Sequence, residues 1–485
     1  MTLVSRLQSL ALTGFLLSLF PLSVALLCFN YALLALDLKP SLRGRLRRSR
    51  GFQRHNLLIT GIETPHGLHL ARAFHSTGHN VTAAATEHRL LPVHVRFSAV
   101  LWRFYQLKHT LTDESASESI KEILDIVQNE NIDLWIDCSQ PRHSSQLRHA
   151  KAVVERRSRC LVFLPSDKYT DLFASSDAFL SYAHSQGLPG LDSYQVGSRA
   201  EIHDVLNTSR GKKRYKLTGP DGARAKSVLP RRTLSQTYHE ISEVMVQKDS
   251  PWQLKQHVES QERYTTVGVV VKGHLWAFAA SPVSAPQYLD SLPPRSATNK
   301  ALRSYVEALC RGLGDDFTGH INIDFVTDET PSLTGVEKSH FPVDGRVEPG
   351  ASLLLFQGLH GYLVLARAYL AVLASVADDV LIKARAGRGV YSLGYDISQL
   401  AILPVEKLLT FRIGIIQLFG EFATLAGHIL VGQECVYDFR DPLPFCVATQ
   451  KRAKYIASTD FDKIDQNDII IISQPPDSQP AIPAC

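Results

Sequence analysis

In the run Ile321-Asn322-Ile323-Asp324-Phe325-Val326 a carboxylate sits inside a strand-like apolar pattern, and Glu337 follows 13 residues later, beyond the turn-forming Thr330-Pro331-Ser332. Two adjacent antiparallel strands joined there would set Asp324 and Glu337 side by side. Such a pair suits Mg²⁺, a hard cation that takes one or two carboxylates together with nucleotide phosphate oxygens. Acids on neighbouring strands are more often simply exposed, so the pair points to a metal only in company. Upstream, Lys216 lies on an apparent strand ahead of Gly219, Pro220, Asp221, Gly222 and Arg224, a turn-rich loop carrying positive charge. A strand-held ammonium beside a basic loop can hold phosphates electrostatically. With Lys212, Lys213 and Arg214 alongside, a solvated basic surface is the better account of those residues taken alone.

A second loop has the outline of a dinucleotide site. Thr60-Gly61 ends a strand, Gly67 opens a helix, and Glu87 lies near the end of the next strand, where an acid can hold a ribose. The middle glycine is missing: Thr64 and Pro65 occupy the stretch where the backbone must approach a pyrophosphate closely. The loop therefore reads as a Rossmann-like unit without NAD(P).

Several kinds of element must position these residues. Asn56 to Thr60, a helical pattern through Leu68, Ala71 and Phe74 to Gly78, and Val81 to Thr86 form a strand, helix, strand unit. Ile120, Ile123, Leu124 and Val127 share one helical face, and Ile132 to Asp137 and Cys160 to Leu164 supply further strands. Alternation of this kind implies a parallel, right-handed α/β sheet. A helix from Ser175 to Gln186 then stops at Gly187-Leu188-Pro189. Arg214 to Thr218, Tyr264 to Val271, His274 to Ala280 and His320 to Val326 read as strands, the middle two joined by Lys272-Gly273 as a hairpin. Leu353 to Val376 and Leu400 to Val431 are strongly apolar, but Arg367, Glu406, Lys407, Arg412 and Glu421 interrupt them, so packed helices are expected rather than membrane spans. The division expected is 55–189 for the Rossmann-like domain, 190–350 for a mixed α+β domain, 351–458 for a helical region and 459–485 for a flexible tail.

The 485 residues allow two or three domains, and 45% hydrophobic against 20% charged residues excludes wholesale disorder and a polytopic bundle. Basic residues number 52 against 47 acids, and much of that small excess lies between Lys39 and Arg54, so nucleic acid is not implied. Seven scattered cysteines without CxxC pairs read as incidental thiols in a reducing compartment. From Leu7 to Leu36 there is no charged residue, which is long enough to span a bilayer. An uncleaved membrane anchor is expected over residues 1–38, as a single span or, given Pro21, a re-entrant hairpin, followed by a basic linker over 39–54. Lys39, Arg43, Arg45, Arg47, Arg48, Arg50 and Arg54 follow the run while Arg6 alone precedes it, which places the body in the cytosol.

A Rossmann-like first domain, a phosphate lysine with a basic loop, a connecting strand and a carboxylate pair, in that order, resemble the ATP-grasp plan. The resemblance is closest to mycosporine-glycine synthase-like ligases and the ATP-grasp enzymes of fungal secondary-metabolite clusters. It covers about residues 55 to 450 and is carried by Leu58-Ile59-Thr60-Gly61, Leu70-Ala71-Arg72-Ala73-Phe74-His75, Gly78-His79, Arg96-Phe97-Ser98, Arg103-Phe104-Tyr105, Pro251-Trp252, Glu262-Arg263-Tyr264-Thr265-Thr266, Thr318-Gly319, Asp324-Phe325 and Asp441-Pro442-Leu443-Pro444-Phe445.

The resemblance implies ATP and Mg²⁺ as cofactors. Lys216 and Arg224 would meet the nucleotide phosphates, Lys255, Gln256, His257 and Val258 the adenine edge, Glu262 the ribose, and Asp324, Glu337 and Ser339 the metal. The family usually places asparagine where Ser339 stands, then proline and arginine; this chain has His340 and Phe341 in the following places, and Arg263 where an acid precedes the tyrosine. Ala178 follows Asp177 where a nucleotide lysine is usual. The activity implied is ATP-dependent ligation of an amino acid to a small-molecule acceptor through a phosphorylated intermediate, with pathway enzymes as possible partners. The catalytic base is unassigned, with His340 the nearest candidate. The rival reading is a tethered, non-catalytic relative that binds a metabolite or a partner enzyme.

Overall fold

The computed structural model describes residues 25, 28–29, 32, 42–87, 93–109, 116–139, 145–169, 171–209, 213–219, 224–246, 251–258, 262–284, 288–332, 335–374, 382–383, 388–445 and 447–448. The expected anchor and tail fall almost wholly outside these residues. Among the described residues no helix is long and apolar enough to cross a membrane. The chain divides into two compact units, Met1–Asp171 with Thr265–Asn322 and Arg346–Cys485, and Leu172–Tyr264 with Ile323–Gly345. The first crossing falls at 171/172, in a 3-10 turn, and the other three, at 264/265, 322/323 and 345/346, lie inside strands, so the division is not the linear one at 189 and 350.

In the first unit the basic linker forms a short helix, α1 (Leu42–Arg47), whose Arg47 Nε donates to the Gly78 carbonyl at 2.8 Å. Five strands follow: β1 (Asn56–Thr60), β2 (Asn80–Thr86), β3 (Arg103–Leu107), β4 (Leu134–Asp137) and β5 (Leu161–Phe163). Their order is β3-β2-β1-β4-β5, all parallel. Helix α2 (Pro65–Ser76) starts as its sequence dictates: Pro65 needs no donor in the first turn, and the capping Thr64 side chain accepts from the Gly67 amide. Gly61, at φ +63°, backs onto Ser139, whose backbone nitrogen would lie 2.0 Å from any Cβ added there. Helices α3 (Ala116–Asn129) and α4 (Ser145–Arg157) cover the sheet, and Ile120, Ile123, Leu124 and Val127 of α3 bury against Trp135 and Val162.

The second unit contains α5 (Ser176–Ser185), β6 (Ser193–Val196), α6 (Arg199–Thr208), β7 (Arg214–Thr218), β8 (Arg224–Leu229), α7 (Leu234–Glu243) and β9 (Trp252–His257). Its four strands run β6-β9-β7-β8, antiparallel throughout. Ile202 and Leu206 of α6 and Ile241 of α7 pack with Tyr215, Leu217, Leu229 and Leu254, so one face of the sheet is core.

The remaining strands begin with the hairpin β10 (Arg263–Val271) and β11 (His274–Ser284). Lys272 and Gly273, at φ +50° and +72°, have the left-handed pair that a two-residue hairpin turn demands. Beyond β12 (Tyr288–Leu289) and α8 (Ala297–Leu313), the strands β13 (Gly319–Ser332) and β14 (Gly335–Arg346) are neighbours. Helix α9 (Gly358–Leu370) sets Tyr369 against Phe74 of α2 with ring centres 5.8 Å apart, so this apolar stretch packs as expected. The short strands β15 (Ile382–Lys383), β16 (Val390–Tyr391) and β17 (Gln433–Glu434) flank α10 (Leu393–Asp396), α11 (Leu403–Leu409) and α12 (Ile415–Val431). Helix α12 departs from expectation, since none of its residues is buried.

Three stretches far apart in the sequence meet in the first unit. Arg72, nearly inaccessible, donates from Nε to Asp441 Oδ2 at 3.1 Å and from its terminal nitrogens to the carbonyls of Val436 and Asp441. Ser98 Oγ and the Ala99 amide donate to the same carboxylate at 2.6 and 2.9 Å. Every polar group of this buried pair is satisfied, as a buried ion pair must be. Cys138, Cys160, Cys310 and Cys435 are buried free thiols, and burial pushes that of Cys160 up to about 12.

Candidate functional site

Strand alternation in the second unit leaves Lys216 and Thr218 of β7, and Gln253, Lys255 and His257 of β9, on the sheet face opposite its apolar core. The register sets Lys216 directly across from Lys255, with Val228 of β8 and Ser193 of β6 completing that rung. The next rung joins Thr218 to Gln253, and Gln253 to Gln195. Two ammonium groups on one rung repel. Lys255 has a counter-ion: its Nζ lies 2.7 Å from Asp177 Oδ1 in the first turn of α5. Burial raises the Asp177 carboxyl, but hydrogen bonds from Lys255 and Gln253 outweigh it and hold the group below the usual range. Lys216 is half-buried, and its side chain has no hydrogen-bond or ion-pair partner among the described residues. Among the described residues the face thus carries one balanced and one unbalanced lysine, an arrangement suited to a polyanion.

The other expected nucleotide residues are placed as follows. Arg224 opens β8 opposite Thr218, past a register irregularity; its side chain is outside the described residues. Gln256 turns to the opposite face from Lys255, and its amide donates to the Asp192 carbonyl at 2.8 Å. That amide is therefore already used, and the side chain, 9% exposed, is buried. His257 pairs with Arg214 at the end of β9, and Val258 follows the strand, half-buried. Glu262 accepts both its ion-pair contacts from Lys338 Nζ, each at 2.9 Å, which hold its carboxyl below the usual range. A ribose would have to compete with that lysine.

The metal trio is not brought together. Two residues link β13 to β14, and neighbouring strands joined so closely run antiparallel. Thr327 Oγ1 lies 2.9 Å from His340 Nδ1, which sets those residues beside each other. From there Asp324 lies three residues away from the turn and Glu337 three residues toward it, a separation of about 20 Å along the hairpin. The reason is the turn: β13 runs on through Thr330-Pro331-Ser332, where the sequence pattern suggests a reversal, and β14 begins at Gly335. Ser339 sits next to His340, nearer Asp328 than Asp324. The Glu337 side chain is outside the described residues, and among the described residues no group of three or more His, Cys, Asp and Glu side chains could hold a metal ion. His340 stands edge-on to Tyr264, and burial, aided by Lys338, lowers its proton affinity.

Asp177 is the residue that reading the sequence missed as a partner. Its signal is a first-turn acid on a capped helix, a common pattern that names no partner by itself.

No family model matches the chain, and no curated protein matches it. Solved structures similar to it include an N5-carboxyaminoimidazole synthetase from Staphylococcus aureus complexed with ADP, at 11% identity, covering 70% of this chain and 81% of that one with a TM-score of 0.44. A biotin carboxylase subunit of pyruvate carboxylase is similar at 11% identity, covering 70% and 74% with a TM-score of 0.48. A carboxyaminoimidazole ribonucleotide synthase from Aspergillus clavatus complexed with ATP is similar at 10% identity, covering 69% and 80% with a TM-score of 0.41. Fold and site together define a mixed α/β protein whose second unit presents a basic, polar sheet face.

Proposed function

We propose that this protein is an ATP-dependent ligase of the ATP-grasp type, forming a carbon–nitrogen bond between an amino acid and a small-molecule acceptor. The observation that carries the reading is the rung of Lys216 and Lys255 with Asp177 as its single counter-ion among the described residues. A triphosphate supplies the negative charge that rung lacks, and it would lie against Thr218 and Gln253, whose side chains can orient its oxygens. In the reaction the γ-phosphoryl group moves to an acceptor carboxylate or enolic oxygen as its bond to the β-phosphate bridging oxygen breaks, and ADP leaves. The amine then attacks the activated carbon, the carbon–oxygen bond breaks, inorganic phosphate departs and the amine proton passes to solvent or a base. Positioning and charge neutralisation are what a protein contributes to phosphoryl transfer.

Mg²⁺ accompanies a nucleotide in such chemistry, and Asp324 is the member of the expected trio we retain for it. Glu337 and Ser339 lie away from Asp324 along the hairpin, so these residues do not fit one ion, and no step is derived through it. That disagreement favours the second reading, a non-catalytic relative that binds nucleotide or metabolite. Within the proposal the enzyme is of the mycosporine-glycine synthase-like kind, the setting is secondary metabolism with pathway enzymes as partners, and residues 1–38 hold a cytosolic body at a membrane. The test is calorimetry with Mg-ATP followed by ADP release across a panel of amino acids and cyclic enolic or carboxylate acceptors. Binding with amino-acid-dependent ADP release supports the ligase; binding without release supports the second reading; no binding rejects both.

A further inference from the structure

We propose that helix α12 seats its outward face on a lipid bilayer, an inference independent of the nucleotide reading. The helix is built inside out. Four of its five half-covered positions, Leu418, Glu421, Leu425 and His428, recur at helical spacing and form the side turned toward the unit; the fifth is Gly427. Two of those four are ionisable. His428 Nδ1 meets the fully buried Asp396 Oδ2 at 2.7 Å, and the His428 ring stacks on Tyr288 at 4.2 Å, so that side is anchored by polar and aromatic contacts. The opposite side presents Ile415, Ile416, Phe419 and Leu430 to the outside, with Ile416 89% and Leu430 80% exposed, while Phe422 and Ile429 border the inward side at 37% and 48%. A helix folded only to satisfy its own unit would turn that stripe inward.

The occupant follows from length, area and charge. Seventeen residues fall short of the roughly 20 that span a bilayer, so the helix would lie along the surface. Its outer face is about 25 Å by about 10 Å, roughly 250 Å², well below the ~800 Å² each partner contributes to a stable protein interface. Lys407 and Arg412, both exposed, flank the apolar Leu409 and Phe411, and Phe411 is 94% exposed. Cations beside apolar tips match anionic headgroups over acyl chains. The uncharged run Leu7 to Leu36 of the same chain is expected to keep a bilayer within reach.

The experiment uses the full chain reconstituted with phosphatidylcholine–phosphatidylserine vesicles carrying a diazirine on the acyl chain, photolysed and mapped by peptide mass spectrometry. Adducts are expected on the outward residues of α12 and not on Leu418 or Leu425. The double variant Ile416→Ser, Phe419→Ser, whose sites face outward and leave the fold intact, should cut α12 labelling by at least about tenfold. Absence of adducts from residues 415–431, whether or not residues 7–36 carry them, overturns the proposal. Cross-links between α12 of two copies, with no lipid adducts, would assign the face to self-association instead.

Discussion

Replacing Lys216 by methionine should move stability and nucleotide affinity in opposite directions. Methionine keeps the aliphatic stem that lies against the sheet and removes the ammonium opposite Lys255. Like charges directly across a strand pair cost roughly 0.2–1 kcal/mol, and Asp177 already offsets Lys255, so the gain in unfolding free energy belongs at the low end of that range. A charge-assisted contact to a phosphate is worth roughly 1.5–3 kcal/mol, so Mg-ATP should bind about 10- to 150-fold more weakly. Lys300→Met, at an exposed position on α8, is the control and should change neither quantity. Affinity is read by calorimetry at two salt concentrations, and stability by urea titration followed through tryptophan fluorescence, Trp252 being in the same sheet. The wild-type dissociation constant should rise more steeply with salt than that of the variant. A Lys216→Met protein that binds Mg-ATP within twofold of wild type, or that is less stable than wild type, refutes the assignment of this face.

Two further outcomes concern the first unit. Asp441→Ala strands the Arg72 guanidinium in a buried site and removes the acceptor of Ser98 Oγ and the Ala99 amide, so unfolding free energy should fall by about 3–5 kcal/mol. The double variant Arg72→Met, Asp441→Leu should recover most of that loss, and a single-variant cost under about 1 kcal/mol by urea denaturation would show the pair to be dispensable. Burial lowers the His69 pKa to about 4, so the folded state holds this ring neutral while the unfolded chain protonates it below 6.5. Its contribution is present above pH 6.5 and is lost as pH falls toward 4, with a slope of up to about 1.4 kcal/mol per pH unit. His69→Gln should flatten the dependence of the unfolding midpoint in that window, and an unchanged slope would mean that the ring titrates while folded.

What could be read in advance was local. The strands Asn56–Thr60 and Arg214–Thr218 follow from short apolar or alternating runs, and α5 from the Ser175 cap and the glycine stop. Lys272-Gly273 announces its hairpin because both positions must accept positive φ. The hairpin of β13 and β14 was expected, but its turn was placed too early, because Thr330-Pro331-Ser332 is a turn signal that a strand also tolerates where the proline needs no ladder partner. A later reversal changes every cross-strand pairing, and with it the neighbour of Asp324. The partners of Arg72 escaped for another reason: Asp441 is 369 residues away, and no local pattern encodes a contact of that separation. Periodicity was equally silent about α12, since a helical stripe reads the same whether it faces core or surroundings.

The basic rung and α12 are both places where folding within the unit would have chosen otherwise. A sheet gains nothing from two ammoniums on one rung, and a helix gains nothing from Glu421 and His428 inside with Ile416 and Leu430 outside. Local choices that contradict the fold they sit in are expected where something outside the chain completes the arrangement. The magnitudes make this reasonable for the rung, because its cost of at most about 1 kcal/mol is smaller than the roughly 1.5–3 kcal/mol one phosphate contact returns. For α12 the same comparison favours a lipid partner, since each large apolar side chain transferred from water contributes about 1.5–3 kcal/mol. The buried Asp396–His428 pair then has a definite task, which is to keep the helix from rolling its apolar stripe back onto the unit.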